Sequence, residues 1–437
     1  MASVQAMARK GITNSERGTS QCDQLWLLTY GLGLEAGARP RPFILGDLWH
    51  VGMDEFYRRR AEGSTASAVT HARAAIAKRG EELLAEAERM NFTPEHFDPS
   101  SAEQWDGVVM DPADIIADAH RAAWMVVHYW KTYRGKLPAG SFQVVMNEQL
   151  LATRVRNPAT GRKSPVTTYA GRVDKLVRIN GRLWVVEHKT SSGALSDWLA
   201  NNATSPQVLS YAWAIEEQLG EPVAGAIYDL AYTGKHTLPQ PTKDGGRLRK
   251  SAGLPSCTAA EFANAVASIH CPDWQRGGGS AEDMVAAAIG QAKKPEDVQW
   301  YADTLRALQQ REDDGYWFRR EVVPFADGEV QRMGAELYHS CTRLRRMHDV
   351  VEPYAAAMRE NVANGDTVAS AVEFALRCIT EDHPGQFVRN HSACIGRFGR
   401  MCSRAALCRS HHANDAQHVR VKAARHTELE EAEQPTG

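Results

Sequence analysis

The sequence predicts an α/β fold: a mixed β-sheet flanked by helices, with a helical region ahead of it and a cysteine cluster near its C-terminal end. Three observations carry this expectation. Alanine-rich segments with helical patterning occupy 65–90 and 111–133. Strand-like runs follow at 142–151 and 172–190, the second centred on Asn180-Gly181. A Ser205-Pro206 helix start and an apolar run at 223–232 complete an order of helices, strands, helix and strand, which is that of an α/β core.

Element by element, residues 1–20 are polar and read as a flexible N-terminus. Residues 22–30 have helical character, with Thr19 or Ser20 as candidate N-cap. A turn rich in Gly, Ala, Pro and Arg spans 31–42, and 46–60 reads as a helix carrying His50. Serine as cap and proline at the first helical position start a helix at 205 that runs to about Gly220. Residues 317–325 suggest one more strand and 328–361 a long helix. The segment 412–437 is polar and charge-rich and is expected to be a disordered tail. The domain organisation that follows is 1–20, a helical region at 21–135, a core at 136–233, a variable insertion at 234–316, a strand and helices with the cysteine cluster at 317–411, and the tail.

The stretch 171–190 is the most informative. Asn-Gly favours a two-residue type I′ turn, because both central residues need positive φ. With that turn, Asp174 stands opposite Glu187, and alternation puts Lys189 on the same face. Two facing carboxylates repel each other in a plain sheet. A divalent cation between them reverses the sign, and Mg²⁺ is held by one or two carboxylates plus substrate phosphate. A neighbouring lysine then orients water and stabilises charge on phosphorus. Both faces of the hairpin are rich in Leu, Val, Ile and Trp, so it is expected to be buried, and buried charges need a partner.

Composition narrows the class. The chain has 437 residues, 43% of them hydrophobic and 24% charged, ordinary values for a soluble globular protein. No apolar run approaches the ~18 residues of a membrane span, and no apolar leader is visible, so a cytoplasmic protein without membrane contact is expected. The net charge of −2 is no argument for nucleic-acid binding, but basic clusters occur at Arg154, Arg156, Arg162 and Lys163, at Arg247, Arg249 and Lys250, and at Arg343, Arg345 and Arg346. Of eight cysteines, Cys394, Cys402 and Cys408 cluster with gaps of seven and five residues. Clustered thiols in a cytosolic chain point to metal or catalysis; for a Cys₄ metal site three thiolates need a fourth ligand, and the spacing is not that of a zinc ribbon.

Asp174 followed by Glu187-His188-Lys189 resembles the Asp…Glu-Xaa-Lys signature of the PD-(D/E)XK nuclease superfamily, with Val173 in place of the proline. His50 in the run 45–50 is similar to the Gly-Xaa₃-His motif of its RecB-like branch, Gln207 and Tyr211 to its Gln-Xaa₃-Tyr motif, and Glu148 to the glutamate often found on the preceding strand. The resemblance implies a restriction-endonuclease-like core. It implies metal ligation of Mg²⁺ or Mn²⁺ by His50, Glu148, Asp174, Glu187 and the His188 carbonyl, with Lys189, Gln207 and Tyr211 completing the catalytic set. Some members, among them the AddB helicase-nuclease subunit and nucleases of CRISPR adaptation, bind a [4Fe–4S] cluster through one cysteine before the core and three after it. Here that implies Cys22 with Cys394, Cys402 and Cys408, with Cys378 in reserve for Cys394 and a structural Zn²⁺ as the alternative cofactor.

The implied function is a metal-dependent DNA nuclease, an exonuclease acting on single strands or duplex ends, similar to standalone phage and prophage nucleases of recombination, repair or processing. The rival readings are a nuclease subunit of a helicase or CRISPR-adaptation complex, with a helicase or recombinase as partner, and a non-catalytic DNA-binding accessory protein. The intact Asp, Glu and Lys argue against the last, and the chain has no P-loop motor of its own.

Overall fold

The computed structural model describes residues 5, 7–8, 10–36, 41–63, 65–89, 111–134, 142–202, 205–250, 252–270, 283, 295–393, 408 and 419–421. Its first elements are short: α1 (Asn14–Thr19), α2 (Asp23–Trp26), a π-helical turn (Leu27–Gly31) and β1 (Leu34–Ala36). The expected cap at Thr19 or Ser20 is corrected. Those residues close α1, whose own cap is the Thr13 hydroxyl accepting from Glu16 N at 3.2 Å, and Cys22 takes the N-cap position of α2. Thr13 is extended, so the chain turns into a helix earlier than its polar composition suggests.

Three long helices follow: α3 (Arg41–Ala61), α4 (Thr65–Arg89) and α5 (Pro112–Tyr133). Asp111 caps α5 by accepting from Ala113 N at 2.8 Å, with Pro112 at the first helical position. The three helices enclose an aromatic core of Trp49, Phe56, Tyr57 and Tyr129, in which the two tyrosine hydroxyls share a hydrogen bond of 2.6 Å.

Strands β2 (Phe142–Arg156), β3 (Lys163–Ile179) and β4 (Arg182–Ser191) are followed by α6 (Leu195–Asn202), α7 (Pro206–Leu219) and β5 (Val223–Tyr232). Asn180 and Gly181 both have positive φ, +49° and +78°, as the type I′ turn requires. The predicted register holds from Ile179–Arg182 to Lys175–Val186. β3 begins at Lys163, well before the expected 172, because it also pairs with β2 along almost its whole length. Ser205 occupies the N-cap of α7 without a side-chain cap bond, and Gly220 ends the helix in the left-handed conformation.

The next elements are α8 (Ala259–His270), α9 (Pro295–Asp313), β6 (Phe318–Pro324), α10 (Glu329–Ala363), α11 (Val368–Asp382) and β7 (Val419–Val421). The main sheet is mixed, with order β2-β3-β4-β5-β6. The expected tail is corrected at three residues: Val419, Arg420 and Val421 pair with Ala36, Glu35 and Leu34. Two β-branched residues flanking a charged one suit an edge strand, and β1 offers the partner. The rest of 412–437 lies outside the described residues. No described helix is long and apolar enough to cross a membrane.

The chain divides into two units, 1–187 with 204–227 and 323–437, and 188–203 with 228–322. The first is built on β2, β3 and their helices. In the second, α8 and α9 pack around Phe262, Val266, Tyr301 and Leu308. A small hairpin at 240–249 gives structure to part of the expected variable insertion, with Thr242 N donating to Arg247 O at 2.8 Å and Arg249 N to Gln240 O at 2.9 Å.

Candidate active site

Asp174 and Glu187 stand one step beyond the last paired residues of the hairpin, on neighbouring strands. Asp174 is 8% exposed and Glu187 is completely buried. Glu148, on β2, lies level with Asp174, between the pairs Asn147–Lys175 and Gln149–Val173. Its φ is +45°, a conformation glutamate rarely adopts. The register of β2 shifts between Val144 and Met146, and such irregularities re-aim side chains. Strain of this kind persists only where surrounding structure enforces it, and it clusters at functional sites.

α3 supplies the third group. His50 Nδ1 lies 3.6 Å from Asp174 Oδ2. One ligand atom from each of His50, Glu148 and Asp174 falls within 4.8 Å of the others. Asp54, one turn further along α3, accepts a hydrogen bond from Asn147 Nδ2. Burial raises the Glu148 carboxyl well above its ordinary range, and Asp174 and then Asp54 push it the same way. Burial likewise raises Asp54, against the pull of Lys175 and Arg58. A nitrogen and several carboxylate oxygens, crowded and mutually repelling, suit a divalent cation. His50, Glu148 and Asp174 therefore fit a metal ion by chemistry as well as by proximity.

Two residues that sequence reasoning passed over belong to this cluster. Lys175 is 1% exposed, and its Nζ lies 3.4 Å from the centroid of the Tyr57 ring. A lysine is almost never so buried without compensation, and here its charge acts on Asp54 and Glu148. Alternation, which favours Lys189, disfavours Lys175 beside Asp174. Asp54 was findable, since it sits four residues after His50 on one helix face.

Tyr211 and Gln207 lie on α7, with Gln207 Nε2 donating to the Tyr211 hydroxyl at 2.9 Å. Burial holds the Tyr211 phenol well above its usual range, aided by the charges of Glu187, Tyr169 and Asp174. Room for this ring depends on Gly171, where a Cβ would stand 2.8 Å from Tyr211 Cε1 and 2.9 Å from the Tyr169 hydroxyl.

Lys189 follows Glu187 by two residues on β4 and is half-buried. The His188 ring is engaged elsewhere, within the second unit. Its Nδ1 lies 3.6 Å from Asp229 Oδ2, which also accepts from Arg320 Nη2 at 2.9 Å. Of His188, the backbone carbonyl is thus the group left for the role the resemblance implies. Of the basic cluster before the hairpin, Arg156 and Lys163 are both ion-paired to Glu217, at 2.8 and 3.2 Å.

Cys22 is buried and accepts from Asn390 N at 3.4 Å, while Asn390 Nδ2 donates to Gln21 O at 3.0 Å. Cys378, on α11, and Cys408 are half-buried. Cys394 and Cys402 lie outside the described residues.

The arrangement pairs the Asp…Glu-Xaa-Lys hairpin with the order α5, β2, β3, β4, α6, α7, β5, and a family model of the PD-(D/E)XK nuclease superfamily matches residues 17–409. The chain belongs to the PD-(D/E)XK nuclease superfamily. Nucleases of this superfamily depend on divalent metals and are typically phosphodiesterases that hydrolyse DNA. The match runs from α1 to the last described cysteine, so it takes in the helices that carry His50 and Tyr338 as well as the sheet. No curated protein matches the chain.

Proposed function

We propose that this chain is a DNA exonuclease of the RecB-like branch, active with Mg²⁺ or Mn²⁺, in phage or bacterial DNA recombination, repair or processing. The observation that carries the reading is the convergence of His50, Glu148 and Asp174 within 4.8 Å. They and Glu187, with the His188 carbonyl, would hold the metal. When bound, the cation supplies charge neutralisation at the scissile phosphate and a more acidic water.

The chain's own residues supply the rest. Lys189, on the Glu187 side of β4 by alternation, positions the attacking water and stabilises negative charge developing on phosphorus. Gln207 donates to the Tyr211 oxygen, so the Tyr211 O–H proton is free to be donated to the scissile strand. Burial and the neighbouring carboxylates keep that proton on the phenol. Water adds to phosphorus, the bond to the 3′ oxygen breaks, and a 5′-phosphate remains.

The expected result is metal-dependent degradation of linear but not circular DNA, abolished by EDTA. Asp174→Asn, Glu187→Gln and Lys189→Ala should each lower the rate about a hundredfold or more with the fold retained. Full activity in Lys189→Ala would sink the assignment. Cleavage of circles would make the enzyme an endonuclease.

Cys22, Cys394, Cys402 and Cys408 are the proposed ligands of a [4Fe–4S] cluster. Support comes from Asn390, whose N–H reaches the Cys22 sulfur four residues before Cys394. β7, downstream of Cys408, also returns to β1. Asn390 and 419–421, on either side of the cysteine cluster in sequence, thus meet 21–22 and 34–36. The purified protein should be brown and contain iron and sulfide. A colourless protein with one zinc per chain would replace the cluster by the alternative metal.

A further inference from the structure

α10 carries a second candidate binding feature that the metal site does not use. A cavity of about 370 Å³ runs along it, lined by Tyr338, His339, Thr342, Arg343, Arg346 and Gln386 among others. His339, Arg343 and Arg346 are spaced by four and three residues, so they share one face of the helix. All three are exposed. Arg343 is fixed in place by donating to Asp23 Oδ1 at 2.9 Å and to Ser20 O at 3.0 Å. Arg346 has no ion-pair partner among the described residues. The Thr342 hydroxyl, buried at its oxygen, makes no hydrogen bond among them. Tyr338 and His339 stand edge to face, with centroids 5.4 Å apart, and offer aromatic surface beside the two guanidinium groups.

Within the first unit, hydrogen bonds link α10, at Ser340 beside the cavity, to α7 of the candidate active site. Arg17 Nε donates to Ser340 Oγ at 2.9 Å. Its Nη1 donates to Asn14 Oδ1 at 3.0 Å and to Ser210 Oγ at 3.1 Å. Asn14 Nδ2 donates in turn to the Gln207 carbonyl at 3.4 Å and to the Tyr169 hydroxyl at 2.7 Å. The turn of α10 that lines the cavity is thus braced to the turn of α7 that carries Gln207 and Tyr211.

We infer that this groove holds a single nucleic-acid strand outside the catalytic centre, with phosphates on Arg343 and Arg346 and a base against Tyr338. Guanidinium groups beside an aromatic ring are the pairing that single strands need, charge for the backbone and a stacking face for sequence-independent hold. The choice of nucleic acid over another polyanion rests on the nuclease reading; the site itself rests on the cavity and its cations.

The test uses the full chain in EDTA, with a fluorescent oligodeoxythymidine strand and anisotropy measured across a salt series. Arg346→Ala should weaken binding about fourfold near 0.15 M salt and reduce the slope of log K against log salt by about 0.7, the value of one phosphate contact on a single strand. Arg346→Glu should weaken it further. Hydrolysis of bis(p-nitrophenyl) phosphate, too small to reach the groove, should be unchanged in both variants. An unaltered slope in both Arg346 variants, or no strand binding by the wild type, overturns the inference. Strand binding with the predicted slope change in Arg346→Ala, but no phosphodiester hydrolysis by the wild type, leaves the groove standing and removes the nuclease reading. Independently of any substitution, 4-thiothymidine strands irradiated with the wild-type chain should cross-link within 338–346; cross-links found only elsewhere also overturn it.

Discussion

Glu148 concentrates the electrostatic problem of this molecule. It is a half-buried carboxylate in a left-handed backbone conformation, level with Asp174. Its carboxyl titrates higher when folded than when unfolded, through burial first and then Asp174 and Asp54. For such a group the linked stability is fully present below the ordinary value of 4.5 and is lost as pH rises through the raised value. In EDTA, thermal stability should therefore fall as pH rises from the glutamate range towards neutral, and added Mg²⁺ should restore it. Glu148→Gln keeps the shape and removes one of the repelling charges. It should raise the metal-free stability at pH 7 by on the order of 1 kcal/mol, flatten the pH dependence and weaken metal binding. Differential scanning fluorimetry with and without metal measures all three. A variant less stable than wild type in EDTA would show that the three acids do not repel as described.

At the scale of elements, the junction of β3 with α7 sets the place of Tyr211. Gly171 is on β3 for space rather than for backbone freedom, since a methyl group there would meet the rings of both Tyr211 and Tyr169. Gly171→Ala should cost about 1–3 kcal/mol in unfolding free energy, as overpacking of a filled interior does. It should also lower the rate of strand cleavage more than it lowers metal affinity, because it displaces Tyr211 and leaves His50, Glu148 and Asp174 alone. Urea denaturation and metal titration of one preparation separate the two effects. Equal losses in both would place Gly171 in the metal site itself.

Across the first unit as a whole, the N-terminal segment behaves as a strap. Ile12 bridges Tyr169 on β3, with Ile12 N donating to Thr168 O at 2.9 Å and Ala170 N to Ile12 O at 3.0 Å. Glu16, buried, accepts from Trp26 Nε1 at 3.0 Å and lies 2.7 Å from His348 Nε2 on α10. Trp26 stacks on Phe387, Asp23 pairs with Arg343, and β1 receives β7. With a cluster on Cys22, this strap would bind the ends of the family match together. Cys22→Ser should then bleach the visible absorbance and open 387–393 to limited proteolysis, mapped by mass spectrometry. Unchanged colour would remove Cys22 from the proposed ligands.

The sequence by itself determined the hairpin, its turn and its register, because Asn180-Gly181 admits few backbones and alternation does the rest. It also determined the one-face pairing of Gln207 with Tyr211, since residues four apart on a helix must be neighbours. The motif resemblance named His50 and Glu148, and tertiary structure decided how they and the remaining groups meet. Glu148 reaches Asp174 through an irregular β2, which breaks the alternation that strand reading relies on. Lys175 is buried against the Tyr57 ring, with its charge acting on Asp54 and Glu148, partners that lie far from it in sequence. The groove on α10 acquires its bearing on α7 only through Arg17 and Asn14, residues of a segment that reads as loose polar chain. Local rules hold where a residue's neighbours are its sequence neighbours; burial of charge is decided by whatever the fold brings alongside.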